Sequence, residues 1–457
     1  MVNKMIKRSD FNRAAKILVD RDGITPLQAE KVLANKTIVL CIGSGVEDSP
    51  NLQSAIITAA NIAKRCFIGN VEVELPNRDI ALAIPFPGAT TLAEALQCLS
   101  VDAGKMTRDS RNISFGTFNS PSSSIAVEVD GWIASVGPSH NRMRLLGREY
   151  NPLAGALAGA LAVSEQFLSL TSVSVQACRR EVGISLWRPD LDWRDSESSG
   201  IPLEYLPNEA WFLGLGHLGQ AMLWCWTQLP FSQPRQVNLV LNDFDHVVPA
   251  NQGTGLLTFP HHDGMLKTRV CSEWVESVGF KPRFVERKFE GSMNRDDSEP
   301  SLAFCGFDGS GPRHELEDFG FELVAESGLG GRFDNFDEIS CHVFPNDSFN
   351  ARESWDLQAG EQQEESTVLK NRFYHSVKQT LGCGHMELAG VSVAVPFVGV
   401  AAGALALAEP LRILNGGMSF ASTWLRLEDP DSKSCHIASR KRAAISSQPA
   451  SPISTEP

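Results

Sequence analysis

Residues 210–219 read AWFLGLGHLG, and this stretch decides the fold. Its four leading apolar residues predict a short buried strand, and the glycines follow with Gly-x-Gly-x-x-Gly spacing. Working outward, we predict a helix over residues 220–229 and a strand over residues 237–241 that ends at Asp243 and Asp245. These are the parts of a mononucleotide-binding βαβ unit, in which glycines let the backbone approach phosphates. The alternative is a tight strand–helix turn that holds no ligand.

The length and composition are those of an ordinary globular protein. The chain has 457 residues, 42% hydrophobic and 21% charged, and at about 100–200 residues per domain it should form two or three domains. Its formal net charge of −13 argues against a general nucleic-acid surface, which needs clustered Lys and Arg. The cysteines form no Cys-x-x-Cys pair, which disfavours structural zinc. The basic N-terminus lacks the apolar core of a signal peptide, so we expect a cytoplasmic protein with reduced thiols.

The most apolar stretch covers residues 389–408 and is about as long as a membrane span. It is rich in Gly and Ala, and Pro396 and Gly399 interrupt it. We therefore predict a buried strand followed by a core helix, and no membrane partner. A membrane helix is the alternative.

The first half of the chain repeats the order of the second. Short strands are predicted over residues 37–43, 70–75 and 125–136, with helices over residues 52–65 and 152–168. Eight residues of the last helix recur at one constant spacing: Pro152, Gly155, Ala158, Gly159, Ala160, Leu161, Ala162 and Glu165 match Pro396, Gly399, Ala402, Gly403, Ala404, Leu405, Ala406 and Glu409. This match predicts an α/β protein with two Rossmann-like doubly wound domains that arose by duplication. The alternative is that any helix rich in Ala and Gly would match.

The first half differs from the second at the glycine loop. Its equivalent stretch reads Gly-Ser-Gly-Val-Glu-Asp over residues 43–48, so that Asp48 replaces the third glycine. Glu47 and Asp48 would place two carboxylates against a bound phosphate, and like charges in a dry site repel strongly. The first half is therefore predicted to be a degenerate copy that binds no nucleotide and supports the second half.

Residues 241–251, LNDFDHVVPAN, resemble the strand and turn of the ThiF/MoeB and ubiquitin-activating adenylyltransferase family. In that family an Asp-x-Asp pair follows the loop glycines, and an Asn, a Lys, and an Asp with a following Arg come later. The matching residues in this chain are Gly214, Gly216, Gly219, Asp243, Asp245, Asn251, Lys267, Asp308 and Arg313. The resemblance covers roughly residues 205–420 and implies a duplicated ThiF-type adenylation fold.

The resemblance also implies a division of the chain. Residues 1–200 would form a degenerate, inactive ThiF-like domain with an N-terminal helix, and residues 190–209 include a linker. Residues 201–425 would form the active ThiF-type domain, interrupted by a polar insertion at residues 345–380. Residues 426–457 are rich in Ser and Pro, and we expect a disordered tail.

The chemistry that the resemblance implies is attack of a carboxylate on the α-phosphate of ATP, with release of pyrophosphate. Asp243 would hold the ribose, with Asp245 at the same strand end, while Asn251 and Lys267 would contact the phosphates. Asp308 would hold Mg²⁺, a hard cation that prefers carboxylate and phosphate oxygens. Arg313 would lie at the nucleotide or, alternatively, be structural and pair with Asp308 or Glu317.

One position departs from the family. The family places an Arg three residues after the Asn, and this chain has Thr254 there, so a phosphate-neutralising charge is missing. In the family a partner subunit also contributes an N-terminal Arg. Here the first half could supply it from Arg13 or Arg21, and for both the alternative is a solvated helix face.

A cysteine is a candidate for a second step. Cys383 lies in Gly-Cys-Gly-His over residues 382–385, and it resembles the reactive cysteine of ubiquitin-activating enzymes. Flanking glycines would leave the thiol accessible, and His385 could lower its pKa. The alternative is a buried or idle surface thiol.

We therefore expect an enzyme that activates a ubiquitin-like or sulfur-carrier protein ending in Gly, followed by transfer to a cysteine. A downstream conjugating enzyme, a homodimer, and a bacterial ubiquitin-like conjugation or phage-defence role are consistent with this hypothesis. The first alternative is an NAD-dependent oxidoreductase, which would use the same loop but gives no role to Asn251, Lys267 and Asp308. The second is a non-catalytic scaffold pseudoenzyme, which Thr254 favours.

Overall fold

The computed structural model describes residues 12–68, 71–107, 109–118, 124–140, 143–145, 147, 149–352, 354, 392–438 and 450–453. The chain forms two parallel-rich mixed sheets with helices between their strands, one built from residues 38–185 and the other from residues 209–437. The predicted α/β class is confirmed.

The first half contains a seven-stranded sheet. Its helices are α1 (Lys16–Asp22), α2 (Pro26–Ala34), α3 (Pro50–Cys66), α4 (Leu92–Cys98) and α5 (Pro152–Leu170). Its strands are β1 (Ile38–Ile42), β2 (Val71–Glu74), β3 (Asp102–Ala103), β4 (Arg111–Phe115), β5 (Ile125–Asp130), β6 (Ile133–Pro138) and β7 (Val182–Ser185). The strand order is β3-β2-β1-β4-β5-β6-β7, in which β1 to β5 are parallel and β6 and β7 join antiparallel.

The second half contains an eight-stranded sheet and a short ribbon. Its strands are β8 (Tyr205–Pro207), β9 (Glu209–Leu213), β10 (Asn238–Asn242), β11 (Arg283–Val285), β12 (Leu302–Cys305), β13 (Leu323–Leu329), β14 (Glu338–Phe344), β15 (Phe420–Arg426), β16 (Lys433–Ile437) and β17 (Ala450–Pro452). Its helices are α6 (His217–Trp226), α7 (Lys267–Ser277), α8 (Ser310–Arg313) and α9 (Pro396–Leu414). The sheet order is β11-β10-β9-β12-β13-β14-β15-β16, while β8 pairs with β17.

The two sheets share one topology. Strands β9 to β15 occupy the positions of β1 to β7, with the same parallel and antiparallel neighbours, and β16 extends the second sheet by one strand. This agreement is what a duplicated unit requires, although the duplication itself stays a prediction.

The repeated small-residue helices pack closely against their neighbours. A Cβ on Gly155 of α5 would overlap with the backbone oxygen of Asn51 in α3, and a Cβ on Gly399 of α9 would overlap with the ring of His217 in α6. Both long helices are apolar and long enough to cross a membrane, yet 89% of the most apolar window of each is buried inside the protein. The core helix predicted within residues 389–408 is confirmed; residues 392–395 before it are coil, not strand, and residues 389–391 lie outside the described part.

The repeated glutamates do the same task in each half. Glu165 accepts a hydrogen bond from the amide of Cys178 at 2.5 Å, and Glu409 accepts one from the amide of Phe420 at 3.0 Å. Glu165 thus ties α5 to the segment before β7, and Glu409 ties α9 to the first residue of β15.

Three sequence predictions need correction. The predicted linker at residues 190–209 carries the buried Trp193 and strand β8, so it is packed structure. The predicted disordered tail is partly ordered, because β16 closes the second sheet and β17 pairs with β8. The N-terminal helix is split into α1 and α2 by Gly23, whose φ is 66°. Most of the polar insertion lies outside the described residues.

Candidate nucleotide site

A cleft of about 180 Å³ opens at the carboxyl ends of β9, β10 and β12. Parallel strands place the residues that follow them at one edge of the sheet, which is where ligands bind in open α/β folds. The cleft is lined by Gly214, Gly216, Asn242, Asp243, Phe244, Asp245, Lys267, Lys288, Phe289, Gly306, Phe307, Asp308, Gly309 and Pro312. Six residues that the sequence predicted as cofactor-binding, catalytic or metal-binding line this cleft: Gly214, Gly216, Asp243, Asp245, Lys267 and Asp308.

The three loop glycines have different tasks. Gly214 adopts a φ of 77°, and a Cβ there would lie 3.0 Å from the ring of Phe307. Gly216 faces open space, because a Cβ there would meet no atom within 4 Å. Gly219 does not line the cleft; a Cβ there would overlap with the backbone oxygen of Gly214, so its role is the close packing of α6 on the loop.

Asp243 holds the loop in shape. Its buried carboxylate accepts a hydrogen bond from the amide of Leu215 at 2.6 Å and another from the amide of Asp245 at 2.8 Å. Each carboxylate oxygen has a second lone pair, so Asp243 can still accept from a hydroxyl group in the cleft.

Two lysines bring positive charge to the cleft. Lys267, the first residue of α7, donates from Nζ to Asp245 at 2.8 Å. Lys288 is exposed and forms no ion pair with any residue that the structure describes. Lys288 was not predicted from the sequence, because it follows the three-residue strand β11 within a polar stretch. The parallel register that aligns Asn242 with Val285 brings it beside the cleft.

Asp308 is exposed at the cleft edge, directly after Phe307. Among the described residues, no group of three or more His, Cys, Asp and Glu side chains could hold a metal ion. Mg²⁺ commonly binds through one or two carboxylates together with phosphates and water. The single carboxylate of Asp308 therefore fits a metal that arrives with a phosphate chain.

Arg313 does not reach the cleft. It is buried and donates to the Glu326 carboxylate at 2.9 Å, to the carbonyl of Phe307 at 3.0 Å, and to the carbonyl of Ser327 at 3.1 Å. His342 Nδ1 lies 2.7 Å from the other oxygen of Glu326. The expected nucleotide contact is thus replaced by a structural role, in which Arg313 fixes the loop just before Asp308. The structural alternative named Asp308 or Glu317 as the partner, but the carboxylate that Arg313 contacts is that of Glu326.

Asn251 and Thr254 lie in a turn next to the cleft and do not line it. The side-chain oxygen of Asn251 accepts from the amide of Val248 at 2.9 Å, and its Nδ2 forms no hydrogen bond within the described part of the chain. Thr254 is buried, so this position brings no charge toward a ligand. Cys383 lies outside the described residues.

The two candidate arginines of the first half are placed differently. Burial lowers the pKa of His217 to about 4, and the positive charge of Arg13 adds to this shift, so Arg13 lies within electrostatic range of that ring; it does not line the cleft. Arg21 instead donates to the carboxylate of its neighbour Asp22 at 2.6 and 2.8 Å.

The equivalent loop of the first half makes hydrogen bonds within the chain. The carboxylate of Glu47 accepts from the amide of Gly45 at 3.0 Å and so occupies a donor that a phosphate would need. Ser44 and Thr117 exchange backbone hydrogen bonds of 3.2 and 2.9 Å across the strand ends. The degeneracy of this half stays a prediction.

Comparison with known proteins agrees with this two-part arrangement. A family model described as BilD N-terminal domain matches residues 37–186, and one described as BilD C-terminal domain matches residues 206–417. A bacterial E1-like protein BilD from Collimonas sp. (strain OK412) is 33% identical over 425 residues, which cover 92% of each chain.

Solved structures give a weaker likeness. A crystal structure of E. coli MccB with succinimide has a TM-score of 0.34 and 10% identity, over 51% of this chain and 64% of that one. One of E. coli MccB with AMPCPP and MccA has a TM-score of 0.33 and 12% identity, over 50% of this chain and 62% of that one. The chain thus spans less than two thirds of the MccB length.

The family models and the long match to the Collimonas protein carry the assignment, since they cover both sheets and the cleft. The chain belongs to the BilD family of bacterial E1-like proteins.

Proposed function

We propose that the second half adenylates the C-terminal glycine carboxylate of a ubiquitin-like or sulfur-carrier protein, using ATP and Mg²⁺. The observation that carries this proposal is the convergence of Gly214, Gly216, Asp243, Lys267 and Asp308 on one cleft. Membership of an E1-like family supports it.

The proposed reaction needs little covalent work from the protein. A carboxylate oxygen of the carrier attacks the α-phosphorus, the bond from that phosphorus to the bridging oxygen breaks, and pyrophosphate leaves with the electron pair. The product is an acyl adenylate. Catalysis then consists of positioning and of neutralising charge on the phosphates.

The residues of the cleft can supply both the positioning and the neutralisation of charge. Glycines at 214 and 216 leave room for phosphates to approach the backbone, and the amino end of α6 favours their negative charge. Asp243 would accept from a ribose hydroxyl, while the ammonium groups of Lys267 and Lys288 would neutralise phosphate charge. Asp308 would hold Mg²⁺ together with phosphate oxygens and water.

The first half would complete the site. The charge of Arg13 acts on His217, the residue after Gly216, so we propose that Arg13 replaces some of the charge that Thr254 lacks. An Arg13→Ala variant should then weaken ATP-dependent turnover, whereas Arg21→Ala, at the surface pair with Asp22, should not.

A second step at Cys383 rests on the sequence resemblance. The thiolate would attack the adenylate carbonyl, forming a thioester and releasing AMP. Cys383→Ala should keep pyrophosphate exchange and lose an adduct that thiols cleave. A downstream conjugating enzyme, a cytoplasmic site of action and a role in phage defence belong to the same proposal.

The test is ATP–pyrophosphate exchange by the full chain with small candidate carriers ending in Gly. Wild-type protein should exchange only when carrier and Mg²⁺ are both present. Lys267→Ala and Asp308→Asn should lose most exchange, while Lys281→Ala, an exposed lysine just beyond α7, should keep it. Absence of exchange across carriers co-purified with the chain would count against the proposal.

A titration separates the remaining alternatives. ATP binding without NAD binding supports adenylation, and tight NAD binding would favour the oxidoreductase. A ligand at 100 times its dissociation constant should stabilise the protein by ~2.7 kcal/mol. No change in melting temperature with either ligand would favour the scaffold.

A further inference from the structure

A buried arginine of the first half lies beneath a turn of the second. Arg65, in the last turn of α3, donates to the carbonyl of Leu256 at 2.9 Å, to that of Thr258 at 3.1 Å, and also to that of Gln252. One turn earlier, Asn61 Nδ2 donates to the carbonyl of Leu256 at 3.1 Å. We call residues 252–258 the bridging turn.

The guanidinium cation of Arg65 is held by hydrogen bonds to carbonyl groups. Within the described residues, Arg65 pairs with no carboxylate, and its remaining side-chain hydrogen bond goes to Asn61 Oδ1 at 2.9 Å. Burial lowers the pKa of Arg65 to about 10, so it is still charged at neutral pH. A buried charge without a counterion is costly unless its hydrogen bonds are complete. Arg65 therefore stabilises only a bridging turn whose three carbonyls keep their present directions.

Hydrogen bonds of Gln220 connect the bridging turn to the glycine loop. Gln220 of α6 is buried, and its Oε1 accepts from the amide of Leu257 and from the hydroxyl of Thr258, both at 3.0 Å. Its Nε2 donates to the carbonyl of Leu215 at 3.1 Å. The amide of Leu215 donates to Asp243 at 2.6 Å.

The approach of Gln220 to the turn leaves no spare room. A Cβ on Gly255 would lie 2.6 Å from Gln220 Oε1 and 2.9 Å from the hydroxyl of Thr258. The hydrogen bonds thus form one series, from Arg65 through the bridging turn and Gln220 to Leu215 and Asp243 at the cleft.

We propose that Arg65 and Gln220 are positioning residues through which the first half sets the geometry of the second half's glycine loop. The effect on nucleotide binding rests on the proposed function, while the mechanical coupling does not. Since the guanidinium donors of Arg65 are directed at carbonyls, it acts on the turn that carries Thr254 and not on a phosphate. The degenerate half is then a working part of the site.

The first test is a double-mutant cycle on the full chain. ATP affinity is measured by calorimetry with Mg²⁺ for Arg65→Met, Gln220→Leu and the double variant. Each single change should weaken ATP binding about tenfold. The double variant should bind ATP little more weakly than either single variant, because both substitutions interrupt the same series of hydrogen bonds. Fully additive losses would contradict the proposal.

Arg180→Met is the matched control. Arg180 also joins the two halves, donating to the Asp429 carboxylate at 3.2 Å and to the carbonyl of Glu428, but it touches neither the bridging turn nor Gln220. Its ATP affinity should stay within about twofold of wild type. An equal loss in this variant would mean that any weakening of the contact between the halves has the same effect.

The second test needs no nucleotide. Hydrogen exchange in peptides covering residues 213–220 should accelerate in Arg65→Met and not in Arg180→Met. If wild-type protein fails to bind ATP, the proposed function fails and this exchange measurement still decides the coupling. If Arg65→Met does not fold, Gln220→Leu cuts the same series, and unchanged exchange at residues 252–258 in that variant would overturn the proposal.

Discussion

Lys267 and Lys288 bring two ammonium groups to one cleft, and they differ in what holds them. Lys267 is bonded to Asp245, whereas Lys288 has no ion-pair partner among the described residues. A bound phosphate would compete with Asp245 for Lys267, but it could pair with Lys288 without breaking an existing ion pair. Lys288 is therefore the residue whose charge is most directly available to a ligand.

We predict that Lys288→Ala weakens ATP binding about tenfold, or ~1.4 kcal/mol, because one phosphate-neutralising charge is lost. Titration calorimetry at low and high salt measures it, and the difference from wild type should shrink as salt screens the charge. Lys281→Ala is the control. Equal affinities of Lys288→Ala and wild type at low salt would remove Lys288 from the site.

Glu165 should make stability depend on pH. Burial raises its pKa to about 7, and the hydrogen bond from Cys178 offsets only part of that shift. The folded state then holds the proton more tightly than the unfolded state, where the pKa is near 4.5. Protonated Glu165 contributes its full amount to the free energy of unfolding when the pH is below the pKa of the unfolded state. This contribution is lost as the pH rises through the folded-state pKa, by up to about 3 kcal/mol in total.

Glu165→Gln removes this titration and keeps an oxygen for Cys178. Urea unfolding near pH 5 and near pH 8 should show the variant gaining stability relative to wild type at the higher pH. The same difference at both pH values would show that Glu165 titrates normally.

Sequence spacing identified several cleft residues but not their hydrogen bonds. Asp243, Asp245, Lys267 and Asp308 follow strand or loop ends, and a family pattern records such positions. The pairing of Arg313 with Glu326 depends on the alignment of β12 with β13, which no local pattern encodes. Lys288 was hidden for a similar reason, since β11 is defined by its register with β10.

At the scale of elements, the two long helices explain why so much of the fold was predictable. Their small-residue pattern is local, and the structure places α5 against α3 and α9 against α6 through it. Strands β16 and β17 were not predictable, because their sequences are polar and they are strands only through pairing with β15 and β8.

We predict that Gly399→Ala destabilises the protein by about 1–3 kcal/mol, because the added methyl group would overlap with His217 at the start of α6. Urea unfolding measures the change, and reduced ATP affinity should accompany it, since His217 follows Gly216 directly. Gly311→Ala is the control, because a Cβ there meets no atom within 4 Å. A Gly399→Ala protein as stable as wild type would mean that α9 can shift without cost.

At the scale of the whole molecule, the halves share one core. Buried apolar residues of α3, α5, α6 and α9 belong to a single contiguous cluster. Polar contacts cross the same boundary, including Trp224 Nε1 donating to Thr58 at 2.9 Å and Ser54 donating to Gln228 at 2.7 Å. The helices of both halves thus contribute to one apolar interior, and a second, smaller cluster lies within the second half.

We therefore predict one cooperative unfolding transition for the full chain. Far-ultraviolet circular dichroism and tryptophan fluorescence should give the same midpoint in urea, because one apolar cluster continues from the first half into the second. Two resolved transitions, or different midpoints by the two probes, would show that the sheets unfold independently.

The hydrogen bond from the amide of Gly45 to the carboxylate of Glu47 bears on the stoichiometry of nucleotide binding. A molecule with two equal glycine turns would take up two equivalents of nucleotide. Here the Gly45 amide of the first turn already has an acceptor within the chain, so we predict that calorimetric saturation arrives at a single equivalent per chain, and a measured ratio of two would mean that Glu47 gives way to the ligand.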